Sequence, residues 1–250
     1  MIETADRQLA KSLFSNYALE ITGKDIGQIA AARSEISPGT QINIAFLGNE
    51  THEQRIEAAA VIRRFGFEPV PIISSRRLKS REDRDALLSG YLRAARPRRF
   101  IFVGGDPAMP AGPYKDSLDL IASNIISNYQ IRNVGIVGYP EGHPRIDNQK
   151  LWDALRRKIE LLSAAGCTVE ITMQFSFDAD AIVEWIGQVR EAGIEAPIRI
   201  GVPGPADVRR LLRFAAQFGV VSSAGSSRST GFLSPTSWAR RDPSSFLPNS

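Results

Sequence analysis

The chain has 250 residues, 43% of them hydrophobic and 23% charged, enough for one sizeable core and too ordinary a balance for a wholly disordered chain. Lys and Arg number 31 against 27 Asp and Glu, a net charge of +4, and the bases are scattered among acids, which argues against a nucleic-acid surface. Cys167 is the single cysteine, which excludes an internal disulfide and any cysteine-based zinc or iron–sulfur site.

The chain opens Met1-Ile2-Glu3-Thr4-Ala5-Asp6-Arg7, with acids and no apolar stretch. No apolar run reaches the roughly 20 residues of a membrane helix. The expectation is a cytoplasmic protein with no secretory leader and no membrane partner.

Short β-rich runs then alternate with amphipathic stretches. The predicted strands are Tyr17–Thr22, Gln41–Leu47, Pro69–Ser74, Arg99–Gly105, Asn133–Gly138, Thr168–Gln174 and Pro197–Val202. Each is rich in Ile, Val or Phe and bounded by Gly, Pro or Asn. Unbroken apolar runs such as Phe100-Ile101-Phe102-Val103 suit strands buried on both faces. Helices fill the gaps. Thr51 and Gln54 have capping-box spacing. Trp152, Leu155, Ile159 and Leu162 share one helical face, as do Ile182, Trp185, Ile186 and Val189, and Val208, Leu211, Leu212 and Ala215.

Serial βα units imply a parallel sheet, either doubly wound or closed into a (β/α)8 barrel. No Gly-x-Gly-x-x-Gly follows the first strand, whereas polar and Gly-rich segments follow many strands, which favours the barrel and its catalytic face. Seven strands are legible, not eight, so a (β/α)8 TIM-barrel type incomplete at its C-terminus is expected over residues 1–220. Residues 221–250 read as a poorly ordered Ser/Arg/Pro-rich tail. An uncovered parallel edge makes a homo-oligomer a plausible partner state.

The chemistry is expected just past the strands. Glu20, in Leu19-Glu20-Ile21-Thr22, is a carboxylate in a β-rich strand, placed for general-acid work or for pairing with an Arg. Gly104-Gly105-Asp106-Pro107 allows a flat ligand close to the backbone, and it also makes a good turn. The loop Gly138-Tyr139-Pro140-Glu141-Gly142-His143-Pro144 gathers an aromatic, a carboxylate and one of two histidines between prolines. One histidine without further ligands argues against a metal. Gln174, beside Phe175 and Phe177, offers an amide to a heterocycle edge. Arg76, Arg77, Lys79 and Arg81 follow the third strand and are placed either to hold phosphates or a glutamate tail, or to start a solvated helix. Arg96, Arg98 and Arg99 precede a strand and belong to the opposite face.

Val137-Gly138-Tyr139-Pro140-Glu141-Gly142-His143-Pro144, followed by Thr172-Met173-Gln174-Phe175-Ser176-Phe177-Asp178, resembles the methylenetetrahydrofolate reductase family. Leu19-Glu20-Ile21-Thr22 and Gly105-Asp106-Pro107 fall in the right order upstream, so the resemblance spans roughly residues 17–220. It implies a (β/α)8 barrel that binds FAD at the strand ends and reduces 5,10-methylenetetrahydrofolate to 5-methyltetrahydrofolate with NAD(P)H, a step of one-carbon metabolism and methionine biosynthesis. Carried over, Glu20 is the general acid. Asp106 lies near pterin and flavin, and Gln174 and Phe175 contact the folate. Gly105, Asp106, Tyr139, His143 and Lys158 serve the cofactor.

The sequence also departs from the family. Its usual Thr after strand two is missing from Ala45-Phe46-Leu47-Gly48-Asn49, and its His after strand three from Pro71-Ile72-Ile73-Ser74. Gly104 replaces the Arg of Arg-Gly-Asp, and Leu151 an Asp ahead of Lys158. Either FAD is held by other groups such as Arg76 and Arg77, or hydride passes directly from NAD(P)H to the folate. The family continues through a further βα segment past Gly219, so the resemblance implies that the Ser/Arg/Pro ending is a foreign one, and a frameshift is the hypothesis for it. The alternatives to the reductase are a folate-binding accessory or inactive barrel, and a partner in tetrahydrofolate-dependent demethylation.

Overall fold

A computed structural model describes residues 16–202. The expected tail and the stripe at Val208–Ala215 lie outside the described residues. Seven strands form one sheet in chain order, β1 Ala18–Thr22, β2 Gln41–Ala45, β3 Glu68–Ser74, β4 Arg99–Val103, β5 Asn133–Gly138, β6 Thr168–Met173 and β7 Ile198–Arg199. The pairs from β1 to β5 are parallel. Helices lie between them: α1 Ile26–Ala31, α2 His52–Arg64, α3 Arg81–Ala94, the short α4 Ser117–Leu120 and α5 Ile126–Asn128, α6 Asn148–Ala164 and α7 Ala179–Glu191. A strand order that never reverses is that of a singly wound barrel and not of a doubly wound sheet. The fold is therefore of the (β/α)8 type, incomplete, with seven strands among the described residues.

Each predicted strand forms within a few residues of its expected bounds. The ends retract where the backbone must turn: β4 stops at Val103 because Gly105 enters the left-handed region at φ +94°. The capping box forms as expected, Thr51 Oγ1 accepting from the Gln54 N–H while Gln54 caps the Thr51 N–H.

The chain divides into two compact units. Of the described residues, the first holds 16–137 and 152–172, the second 138–151 and 173–202. In the first, Ile42, Ile44, Val70, Ile73, Phe100, Phe102, Val134 and Ile136 are buried under the helices, with Leu87, Leu88 and Tyr91 of α3 against them. Near the strand starts Arg99 of β4 meets Glu170 of β6 at 2.8 Å and donates to Gln41 of β2 at 3.3 Å. Polar side chains from alternate strands thus fill one level of the sheet's inner face. This keeps Arg99 away from the strand ends, as expected of it. In the second unit, Met173, Ile182, Trp185, Val189 and Ile194 are buried.

Candidate active site

The expected site residues fall in both units. Glu20, Gly105, Asp106 and Lys158 lie in the first, and Tyr139, His143, Gln174 and Phe175 in the second.

In the first unit, parallel pairing sets Glu20 opposite Asn43, and Asn43 opposite Val70. Register partners project from the same face of a sheet, so the three form one row. The Asn43 side chain is buried and hydrogen-bonds the Glu20 carboxyl. That carboxyl keeps one side open to solvent while protein crowds the rest. Desolvation raises its pKa from the ordinary carboxyl value, and the Asn43 hydrogen bond pulls the other way. Among the described residues Asn43, and not an Arg, is the side-chain partner that acts on the Glu20 carboxyl. Above this row the buried Glu50 accepts from the Gly23 N–H at 3.2 Å and the Leu47 N–H at 3.3 Å, tying the end of β1 to the loop after β2.

Asp106 follows Gly105, where a Cβ would come within 3.1 Å of Ser74 Cβ. Only glycine suits both that contact and the positive φ. The Asp106 side chain is 59% exposed and gripped by Arg77, whose Nε and Nη2 reach it at 2.6–2.9 Å. Arg76 donates to the carbonyls of Pro107 at 2.8 Å, Lys115 at 3.0 Å and Ala108. The expectation left Arg76 and Arg77 between holding phosphates or a glutamate tail and starting a solvated helix; both side chains are engaged within the protein. Arg76 satisfies backbone carbonyls of the loop after β4, and Arg77 orients Asp106. Phe46 occupies the loop where the family's Thr is missing, its ring 4.3 Å from the Arg55 guanidinium carbon and 5.0 Å from that of Arg77.

Lys158 lies on the inner face of α6, in the stripe with Leu155 and Leu162, and is buried. Burial lowers its pKa to about 8, with only Asp116 acting to raise it.

In the second unit, the loop after β5 is pinned to the segment after β6. The Gln174 N–H donates to the Gly138 carbonyl at 2.9 Å, and the buried Ser176 hydroxyl donates to Glu141. Tyr139 and His143 meet edge to face at 5.6 Å, as do Phe175 and Phe177 at 5.7 Å. His143 Nδ1 accepts from the Arg145 N–H at 3.2 Å, which assigns the remaining ring proton to Nε2. Desolvation, then Arg145, lowers its pKa. Tyr139 is raised by desolvation.

Sequence reasoning missed Asn43, Glu50 and Ser176. Asn43 had a visible signal, a polar residue between two isoleucines at an inward step of the strand. Glu50 and Ser176 had none, because their partners are fixed only by folding.

Strands in barrel order define an incomplete (β/α)8 barrel among the described residues. The family model for methylenetetrahydrofolate reductase matches residues 102–221, a little under half of the chain. Asp106, Tyr139, His143, Lys158 and Gln174 lie inside the matched segment; Glu20 lies outside it. Methylenetetrahydrofolate reductase 2 of Saccharomyces cerevisiae is 34% identical over 111 residues, 43% of this chain. The chain covers 17% of that relative's length. The solved citrate synthase SbnG covers 86% of this chain and 96% of its own at 12% identity and a TM-score of 0.39, a likeness too slight to bear on function. No helix among the described residues is long and apolar enough to cross a membrane. Among them no group of three or more His, Cys, Asp or Glu could hold a metal.

Proposed function

We propose that the protein is an oxidoreductase of one-carbon metabolism that reduces 5,10-methylenetetrahydrofolate to 5-methyltetrahydrofolate with NAD(P)H. The observation that supports this reading is Glu20 in the middle of β1, an exposed residue whose carboxyl pKa is raised by desolvation. Reduction needs such an acid. Proton delivery to the bridge nitrogen lets the methylene carbon leave it as an iminium on the other nitrogen. Hydride from the nicotinamide then makes the methyl group. The carbon gains two electrons, the nicotinamide loses them, and the proton stays on the released nitrogen. Gln174 and Phe175 are assigned to the pterin, by hydrogen bonds from the side-chain amide and by ring contact. Asp106, oriented by Arg77, lies beside the glycines that let a flat ring approach.

The resemblance to methylenetetrahydrofolate reductases implies FAD. The residues present do not fit its diphosphate. Arg76 is spent on carbonyls and Arg77 on Asp106, and Lys158 is buried in an apolar stripe. Direct transfer from NAD(P)H to the folate is the route these side chains favour.

The test is NADH and NADPH oxidation by purified protein with methylenetetrahydrofolate, with and without added FAD, after recording the protein's own absorption spectrum. Folate-dependent oxidation independent of FAD is expected. Glu20→Gln is expected to lose about 100-fold or more in turnover with folate affinity little changed. A folded sample that binds folate and oxidises neither nucleotide would leave the accessory-barrel reading in its place.

A further inference from the structure

We propose that Asn43 is a positioning residue for the acid, its buried amide on the neighbouring strand fixing the rotamer of the Glu20 carboxyl. The inference rests on the reading of Glu20 given above and goes beyond it to a residue on another strand.

The argument is geometric. Asn43 sits in the middle of β2, between β1 and β3, so its backbone is fixed by ladders on both sides. Its side chain has two torsions and is buried, and so has little freedom. Its row partner on β3 is Val70, fully buried and without a polar atom to offer. Its row partner on β1 is Glu20, and that is where its amide bonds. Glu20 by contrast is exposed on an edge strand and carries three torsions. A long flexible acid thus leans on a short, buried, immobile amide, which is how a rigid element confers precision on a mobile one.

An amide is the right group for the task. It is uncharged, so it does not trap the carboxyl permanently ionised as a buried Arg would. Its N–H bonds the carboxylate and so opposes the desolvation that raises the proton affinity. An acid held too strongly protonated transfers its proton poorly. The charged groups on neighbouring elements do not set this balance. Lys24 is exposed in the turn after β1. Asp25 accepts from Thr22, Glu50 from Gly23 and Leu47, and Arg55 donates to the Ile72 carbonyl. Glu68 pairs with Arg63, and Arg99 with Glu170. Among the described residues, desolvation and the Asn43 hydrogen bond are what act on the Glu20 carboxyl.

The experiment follows the Glu20 carboxyl itself. Protein carrying 13C-labelled glutamate is titrated by NMR, the Glu20 signal being assigned by its loss in Glu20→Gln. In Asn43→Leu, similar in size and apolar, the Glu20 midpoint moves to higher pH. The alkaline limb of the kcat profile moves up with it, because the acid must be protonated to act. The kcat falls by about tenfold while KM for the folate stays within about twofold, as misorientation of a reacting group predicts. Asn43→Gln, which keeps the amide, recovers part of the loss. An unmoved Glu20 midpoint in folded Asn43→Leu overturns the proposal, as does a loss of kcat with no change in the pH profile. Should the midpoint move while Glu20→Gln keeps full turnover, the pair stands as a structural contact, and both the acid reading and Asn43's catalytic placement fall.

Discussion

Arg77 grips Asp106 through both carboxylate oxygens, with Nη2 at 2.6 and 2.7 Å and Nε at 2.9 Å from Oδ1. The pair bridges the segment after β3 to the segment after β4, and Gly48 makes room for it. A Cβ at Gly48 would fall 2.2 Å from Arg77 Nη1, and φ there is +89°. Because Asp106 is mostly exposed, the pair adds little stability, roughly 0.2–1 kcal/mol. Its consequence is direction. Only a planar fork fixes both oxygens, and Lys cannot replace it. Arg77→Lys is expected to shift the thermal midpoint by only about 1–3 °C while raising KM for the folate severalfold. A variant that loses several degrees and keeps its KM would make the pair structural.

Lys158 carries a different signature. Its folded pKa is about 8, below its ordinary 10.5, with burial as the larger cause. The folded state therefore disfavours the charged amine. The penalty is fully present below about pH 8 and disappears as pH rises through 10.5, so this lysine makes stability rise across that window. Its size is about 3 kcal/mol, from 1.36 kcal/mol for each pKa unit. Lys158→Met keeps the shape and removes the charge, and is expected to be more stable than the wild type at pH 7 by about 1–3 kcal/mol. Urea unfolding of both proteins at several pH values between 7 and 10.5 checks it, through a difference that closes as pH rises. A difference independent of pH would mean that Lys158 is not desolvated.

Period and punctuation made the fold legible. Strands such as Phe100–Val103 and Val134–Val137 are short apolar runs between turn residues, and that pattern depends on local chemistry alone. The inward carboxylate at Glu20 was legible for the same reason, as a charged side chain interrupting a β-rich run. Side-chain partnerships were not legible. Arg76 and Arg77 are adjacent and alike in sequence, yet one binds carbonyls and the other a carboxylate, a division decided by where the loop after β4 passes. Ser176 is one of many serines until Glu141 arrives beside it. Lys158 looked like part of a basic face with Arg156 and Arg157, but the helix turns those two to solvent and Lys158 inward.

His143 offers a titration with a defined sign. Its Nδ1 accepts the Arg145 N–H, and that bond exists only for the neutral ring. Desolvation lowers its pKa below 6.5, and Arg145 adds to the lowering. Whatever order the loop gains from this bond is held above that ordinary value and lost as pH falls through the folded pKa. A ring-proton NMR titration should place its midpoint below 6.5. Arg145→Gln should move it partway back, since the larger cause is untouched. A midpoint at or above 6.5 in the wild type would refute the assignment of Nδ1 as acceptor.

The hydroxyl of Ser176 holds two segments of the second unit together. It donates to Glu141, in the loop after β5, and accepts from the Asp178 N–H at 3.0 Å, while Asp178 caps α7 through the Ala181 N–H at 3.0 Å. Ser176 is only 4% exposed, so water does not replace what its removal takes away. Ser176→Ala should cost about 1–3 kcal/mol, the range for stranding buried polar groups. Glu141→Gln keeps an acceptor for the hydroxyl and should cost less. The same change loosens the loop bearing Tyr139 and His143 against the strand end bearing Gln174, because the Gln174 N–H to Gly138 carbonyl bond is the neighbouring tie between them. Under the proposed function, Ser176→Ala then weakens folate binding more than Glu141→Gln does. Urea unfolding and folate fluorescence titration on the two variants measure both effects. Equal stability losses in the two would show that the carboxylate's charge, and not the hydroxyl, carries the tie.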